Sequence, residues 1–263
     1  MILKRKLPAL MLAAALPVLT LSCSKPSAAT RNRVDENSFP MTVLWAWERP
    51  EDLEFLDARE FAVAFLAQTL ILKGADVVFQ PRRQLLKVRP EIKLMAVTRI
   101  ESRKVTGELT ALSPAQRERL VELILKTLEL KNVSAIQIDF DAVTSEREFY
   151  RSLLRDLRQK LPDNVPLSIT ALASFCVGDR WFQDLPVDEA VPMIFRMGAD
   201  DKTIKSFLAR GNDFHEPLCR KSYGIAVDEP VATNFEPSRR QYIFNVRAWT
   251  EQDVLPFNKD RKK

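Results

Sequence analysis

Apolar residues along this chain gather in short β-rich runs separated by longer stretches with helical spacing. Thr42 to Trp47 (TVLWAW), Phe61 to Ala67 (FAVAFLA) and Leu94 to Ile100 (LMAVTRI) predict the first three strands. Pro50 opens a run, PEDLEFL, that reads as a short acidic helix, and Asp76 to Val88 reads as an extra hairpin around a Pro-Arg-Arg turn. Ser113-Pro114-Ala115-Gln116 is a helix start, with a serine cap, proline at the first position and glutamine at the third. Leu120, Val121, Ile124, Leu125 and Leu128 then mark one apolar face. Ser134 to Ala142 (SAIQIDFDA) predicts a fourth strand. Ser145-Glu146-Arg147-Glu148 reads as a second capping box, followed by the stripe Phe149, Leu153, Leu154, Leu157 and Leu161.

Leu167 to Leu172 and Ala190 to Phe195 give the fifth and sixth strands, a helix from Lys202 to Ala209 ends at Gly211, and Gly224 to Val227 and Tyr242 to Val246 give the last two strands. Eight strands with helices between them predict an α/β fold, a single (β/α)8 TIM-type barrel over 41–263, with irregular last crossovers. Ahead of it, residues 1–22 follow the export pattern: Lys4, Arg5 and Lys6, then an apolar run from Leu7 to Leu21, shorter than the ~20 residues that span a bilayer. Residues 24–40 are polar and aperiodic, a tether.

Composition narrows the function classes. Hydrophobic residues are 46% and charged ones 29%, ordinary for a globular chain. The net charge of +5 shrinks when the three basic residues of the leader are set aside, leaving 37 basic against 35 acidic residues, too even to argue for nucleic acid. Six glycines form no phosphate-cradling pattern, so no nucleotide or other cofactor is expected. His215 is the single histidine, read as a loop residue, and no histidine-rich metal site is expected.

The polar residues of the fourth strand need a different explanation. Gln137, Asp139 and Asp141 are spaced by two, so on a strand they face one side. Two neighbouring carboxylates repel, and burying one costs several kcal/mol unless it is paired, so packing does not ask for them. At the C-terminal end of a barrel strand they open into the mouth, where active sites are built. Other polar and aromatic residues collect at the same ends: Trp45, Trp47 and Glu48; Thr98, Arg99 and Glu101; Arg196; Asp228 and Glu229; Arg247 and Trp249. Indole faces beside carboxylates are what a sugar site needs, because the ring stacks on the pyranose and a carboxyl protonates the glycosidic oxygen. Each tryptophan is equally well read as a plug in the barrel's top layer. The reading is a general acid at Asp141, Asp139 as its partner, a second carboxylate from Glu101, Asp228 or Glu229, and substrate contacts from Trp45, Trp47, Arg99, Gln137, Arg196, Arg247 and Trp249.

QIDFD at 137–141 resembles the DxDxE strand of the chitinase-like glycoside hydrolase family 18, with Asp141 on the family's catalytic glutamate, Asp139 on the aspartate that orients the substrate and Trp249 where the family places a tryptophan under the scissile sugar. Gln137 replaces an aspartate, and Asp141 is one methylene short. A longer resemblance, carried by VLWAWERPEDL, AVTRIES, QIDFDA, SITALASFCVGDRW, LPVDEAVPMIFRMG, PLCRKS and IAVDEP, is to the bacterial domain-of-unknown-function family 3142; it implies one domain and no activity.

LTLSC resembles a bacterial lipobox, which implies that Cys23 becomes the lipidated N-terminus, facing the periplasm and touching the membrane through that anchor only. Cys176 and Cys219 then remain, an even count that favours a disulfide in an exported protein. Topology opposes it, since one follows the fifth strand at the top and the other precedes the seventh at the bottom, unless the segment 210–221 climbs the wall. Asp179, beside Cys176, lines the mouth or caps a short helix. Three functions stay open: a glycoside hydrolase, a non-catalytic glycan-binding lipoprotein, and an envelope scaffold in which Arg99, Arg196 and Arg247 neutralise the buried acids.

Overall fold

The computed structural model describes residues 39–102 and 110–258; the leader, Cys23 and the tether lie outside them. In chain order the strands are β1 (Thr42–Ala46), β2 (Glu51–Asp52), β3 (Phe61–Lys73), β4 (Asp76–Pro81), β5 (Leu86–Lys87) and β6 (Leu94–Ser102). Then come α1 (Pro114–Leu125), β7 (Val133–Asp139), α2 (Arg147–Lys160), β8 (Leu167–Leu172), α3 (Ala173–Gly178), β9 (Glu189–Met193), α4 (Asp201–Ala209), β10 (Ser222–Ala226), β11 (Arg240–Phe244) and α5 (Glu251–Val254). The sheet order β1-β11-β10-β9-β8-β7-β6-β3, closed by β1 against β3, makes an eight-stranded parallel barrel. The TIM-type barrel is borne out, with β7 as its fourth strand.

Strand alternation sorts the side chains. Val43 and Trp45 point inward with Ala62, Ala64, Leu66, Met95, Val97, Ala135, Val191 and Tyr242. Leu44 and Ala46, one residue out of phase, join an outer layer with Leu53, Leu56, Phe61, Val63 and Trp249. On the far side α1 and α2 bury Leu120, Ile124, Leu153, Leu154 and Leu157 against Ile136, Ile138, Leu167 and Ile169. Gly224 is needed at the interior because an added Cβ would stand 3.1 Å from Pro192 O and 3.3 Å from the Trp45 ring.

The predicted acidic helix after Pro50 is not formed. Glu51 is buried and taken up by tertiary partners, accepting from the Trp249 backbone N–H at 2.9 Å and pairing with Arg49 at 3.1 Å, and this holds the segment extended against β5. Burial raises its pKa despite those partners. The hairpin also differs from expectation. β3 does not stop at Ala67 but runs on to Lys73, turns at Gly74 (φ 53°) and pairs antiparallel with β4, while β5 goes to β2. Beyond Gln68 and Thr69 the apolar residues Leu70, Ile71 and Leu72 carry the strand past its last pair with β1 at Phe65.

The Ser113 capping box forms as read, with Gln116 N–H donating to Ser113 Oγ at 3.2 Å and Ser113 N–H to Gln116 Oε1 at 3.1 Å. The second box does not: Val143 N–H donates to Glu146 Oε2 at 2.9 Å, a 3-10 turn spans Thr144–Glu146, and α2 starts at Arg147. No helix separates β10 from β11, so the last crossover is irregular.

Cys176 and Cys219 are disulfide-bonded, with Cα atoms 5.9 Å apart. The segment before Cys219 climbs to α3, where the His215 and Glu216 N–H groups donate to Cys176 O at 2.9 and 3.2 Å. His215 is a loop residue set against the edge of Phe207.

Candidate functional site

β7 delivers its three polar side chains to three levels. Gln137, lowest and fully buried, accepts from Trp45 Nε1 at 2.9 Å and donates to Ser168 Oγ at 3.0 Å. This lock fills the barrel interior, and neither Gln137 nor Trp45, expected as substrate contacts, lines the open cleft above it. Trp45 is a plug, packed on Tyr242 and Phe195.

One level up, Asp139 is half-buried and accepts from Thr170 Oγ1 at 2.7 Å. Burial raises its pKa; Asp141 and Glu101 push the same way, while Thr170 and Arg99 partly oppose. Asp141, past the end of the strand, is exposed at the rim, and its pKa is also raised, by desolvation that Arg99 offsets in part. Both acids line an open cleft of about 580 Å³ with Arg99, Glu101, Ser102 and Glu146. Such a volume falls in the range of small-molecule sites.

Arg99 pairs with Glu101 at 3.3 Å, and its guanidinium lies 5.7 Å from the centroid of the half-buried Trp47 ring. Trp47 meets Phe244 edge-on, Phe244 stacks on Phe195 with centroids 5.4 Å apart, and Arg196 lies over Phe244 at 4.9 Å. The phenylalanines were missed in the sequence because each continues an ordinary strand alternation. Glu146 was missed because its cap-like spacing already accounted for it. It does close a cap, through Val143, but the same carboxylate takes the Ser102 hydroxyl and faces the cleft.

Several expected site residues lie elsewhere. Trp249 is buried in the outer layer, its Nε1 donating to Trp45 O at 2.9 Å, so it offers no stacking face. Arg247 pairs with Asp253, which closes the capping box of α5 on Thr250, and does not line the acid cleft. Asp228 pairs with Arg196 at 3.7 Å, and Glu229 accepts from the Arg196 backbone N–H and from Lys205 at 3.3 Å. Glu229 and Arg196 border a separate open surface beside α4, so neither Asp228 nor Glu229 is the second carboxylate of the Asp139 cleft. Asp179 accepts from Trp181 N–H at 3.2 Å and pairs with Arg147 at 2.6 Å, tying the loop after α3 to the start of α2 rather than lining the cleft. Arg196 itself sits at φ 52°, a strained conformation of the kind that clusters at functional sites.

The model of the family described as "Domain of unknown function (DUF3142)" matches residues 89–191, which bears out that resemblance over the segment from before β6 to β9. No curated protein matches the chain. Among solved structures, a family GH18 chitinase from Chromobacterium violaceum is similar at 12% identity and a TM-score of 0.52, over 88% of this chain and 83% of that one. The Bacillus cereus spore cortex-lytic enzyme SleL is 17% identical at a TM-score of 0.47, over 71% of this chain and 50% of that one. The chitinase domain of the Clostridium difficile spore coat protein CotE is 14% identical at a TM-score of 0.41, over 80% and 66%. This chain thus spans half the length of SleL. The likeness to the Chromobacterium chitinase is one of fold.

Proposed function

We propose that the chain is an exported, lipid-anchored barrel that binds a carbohydrate in the Asp139–Asp141 cleft and hydrolyses a glycosidic bond there. The observation that carries this reading is two carboxyls of raised pKa in one open cleft at the end of the fourth barrel strand. A raised pKa keeps a carboxyl protonated closer to neutrality, as a general acid requires. Asp141, exposed at the rim, gives its proton to the glycosidic oxygen as the bond to the anomeric carbon breaks, and a water molecule adds to that carbon and returns a proton to the Asp141 carboxylate. Asp139, fixed by Thr170, orients the substrate. Trp47 supplies the apolar face on which a sugar ring stacks. Export through the leader and anchoring at Cys23 agree with the Cys176–Cys219 disulfide, a bond of oxidising compartments.

The test is release of reducing ends from a panel of glycans by the full chain and by Asp141→Asn. Turnover by the parent and none by the variant, with unchanged circular dichroism, is expected; equal turnover removes Asp141 from the role. The pairing of Glu101 with Arg99, and of Asp228 and Glu229 with Arg196 and Lys205, favours a second reading, a glycan-binding module without turnover. Retained glycan binding with no product from the parent chain selects it. A pure scaffold has less support, because Arg99, Arg196 and Arg247 pair with Glu101, Asp228 and Asp253 while Asp139 and Asp141 border open space.

A further inference from the structure

Arg196 holds a backbone conformation that glycine would adopt at lower cost. Its φ of 52° lies in the left-handed region, where a side chain is strained. The conformation is enforced from another loop, because both carboxylate oxygens of Glu229 accept from the Arg196 backbone N–H at 3.2 Å. Glu229 is itself held by Lys205 at 3.3 Å, and Lys205 by Asp201 at 2.8 Å. This clasp joins the loops after β9 and β10 and fixes the direction in which the Arg196 side chain leaves the backbone. The side chain ends over Phe244, with the guanidinium carbon 4.9 Å from the ring centroid.

That guanidinium keeps most of its binding capacity. Its ion pair with Asp228 is 3.7 Å long, and the two side chains are 50% and 43% exposed, so the contact contributes little. The open surface beside α4 that Arg196 borders, of about 570 Å³, holds Lys202 and Lys205 as further cations against two acids. Both acids, Asp201 and Glu229, are taken up by Lys205 and the Arg196 N–H, and Lys202 has no ion pair among the described residues. Uncommitted positive charge therefore stands across the mouth from the acids. Arg196, Phe244, Trp47 and Arg99 follow one another in contact, and of these Arg99 borders the cleft of Asp139 and Asp141.

The geometry points to Arg196 as the residue that selects a carboxylate-bearing sugar, a uronic acid unit whose carboxylate takes the place of Asp228 on the guanidinium above Phe244. The inference rests on the carbohydrate reading of the acid cleft and adds the charge of the substrate to it. A guanidinium offers a carboxylate two parallel N–H donors, a match that a neutral hydroxyl does not make. Glycine would relieve the backbone at this position and remove the guanidinium, which accounts for a strained arginine there.

The experiment measures binding of two matched pairs of oligosaccharides to the full chain carrying Asp141→Asn to prevent turnover. One pair is cellohexaose and the same hexamer with its primary alcohols oxidised to carboxylates; the other is a chitin hexamer and a hyaluronan hexamer. The expected result is an acidic member bound about tenfold more tightly than its neutral counterpart in at least one pair, a preference that weakens as salt is added. Arg196→Gly is expected to abolish the preference while melting no lower than the parent, since glycine accepts the φ of 52°. Asp228→Asn removes the competing carboxylate and is expected to tighten binding of the acidic member. Acidic members bound no better than neutral ones, or a preference that Arg196→Gly leaves in place, overturns this inference and leaves the acid cleft standing as a sugar site. If Arg196→Gly fails to fold, Asp228→Asn decides alone: tighter binding of the acidic member supports the inference and unchanged binding overturns it. Absence of binding to all four oligomers by the parent and its variants removes the carbohydrate reading and this inference with it.

Discussion

The Asp139 carboxyl gives up hydration on entering the barrel mouth and receives one short bond from Thr170 in return. Its folded pKa lies above its unfolded one, so its contribution to stability is full below the ordinary aspartate value of about 3.9 and is lost as pH rises through the folded value. Asp139→Asn keeps the acceptor for Thr170 and removes the ionisation. The variant is expected to melt at a higher temperature than the parent near neutral pH and to lose that advantage below about pH 3.9, read by thermal unfolding at both values. Asp139 and Asp141 were legible because two acids on one strand face resist every packing explanation. Trp45, Trp249 and Gln137 lie buried away from the cleft, a placement the sequence does not reveal. The sequence places them at strand ends, but only the register shows that Trp45 and Gln137 bond to each other inside the wall while Trp249 bonds the Trp45 carbonyl from outside.

Among the elements, those that declare themselves locally were read correctly. The Ser113 box is complete in four residues of sequence and complete in space. Ser113→Ala removes the acceptor for Gln116 N–H, and a loss of about 1 kcal/mol in a urea unfolding experiment is expected. The segment after Pro50 carried a local helix signal that tertiary contacts overrode, because buried Glu51 finds its donors in Arg49 and the Trp249 backbone, the latter almost two hundred residues away. The extension of β3 was hidden by Gln68 and Thr69, two polar residues that read as a strand end. Gln68 continues the strand because Thr98 and Leu123 O satisfy its amide.

At the scale of the molecule, eight parallel strands and their order followed from counting β-rich runs, and the irregular last crossover followed from the missing periodicity between β10 and β11. The disulfide was legible only as an open alternative, favoured by the even cysteine count and opposed by topology unless the segment before Cys219 climbs the wall, as it does. Cys176 and Cys219, 43 residues apart, are both fully buried. Replacing both with alanine is expected to cost about 3 kcal/mol in guanidinium unfolding, while reductant added to the folded parent acts slowly on sulfurs that solvent does not reach.

β1 lies between β3, which follows it closely, and β11, near the end of the chain. There Gln241 N–H donates to Met41 O at 2.8 Å, and Arg240 reaches Pro40 O across 200 residues. A polypeptide that emerges from its N-terminus therefore carries one open seam until nearly its last strand has been made. Loop-closure entropy sets that final pairing behind the local β-α-β units. Until the seam shuts, Trp45 has no Tyr242 to rest on and the floor beneath the acids is unfinished, so the chemistry of the mouth is among the last properties the chain acquires.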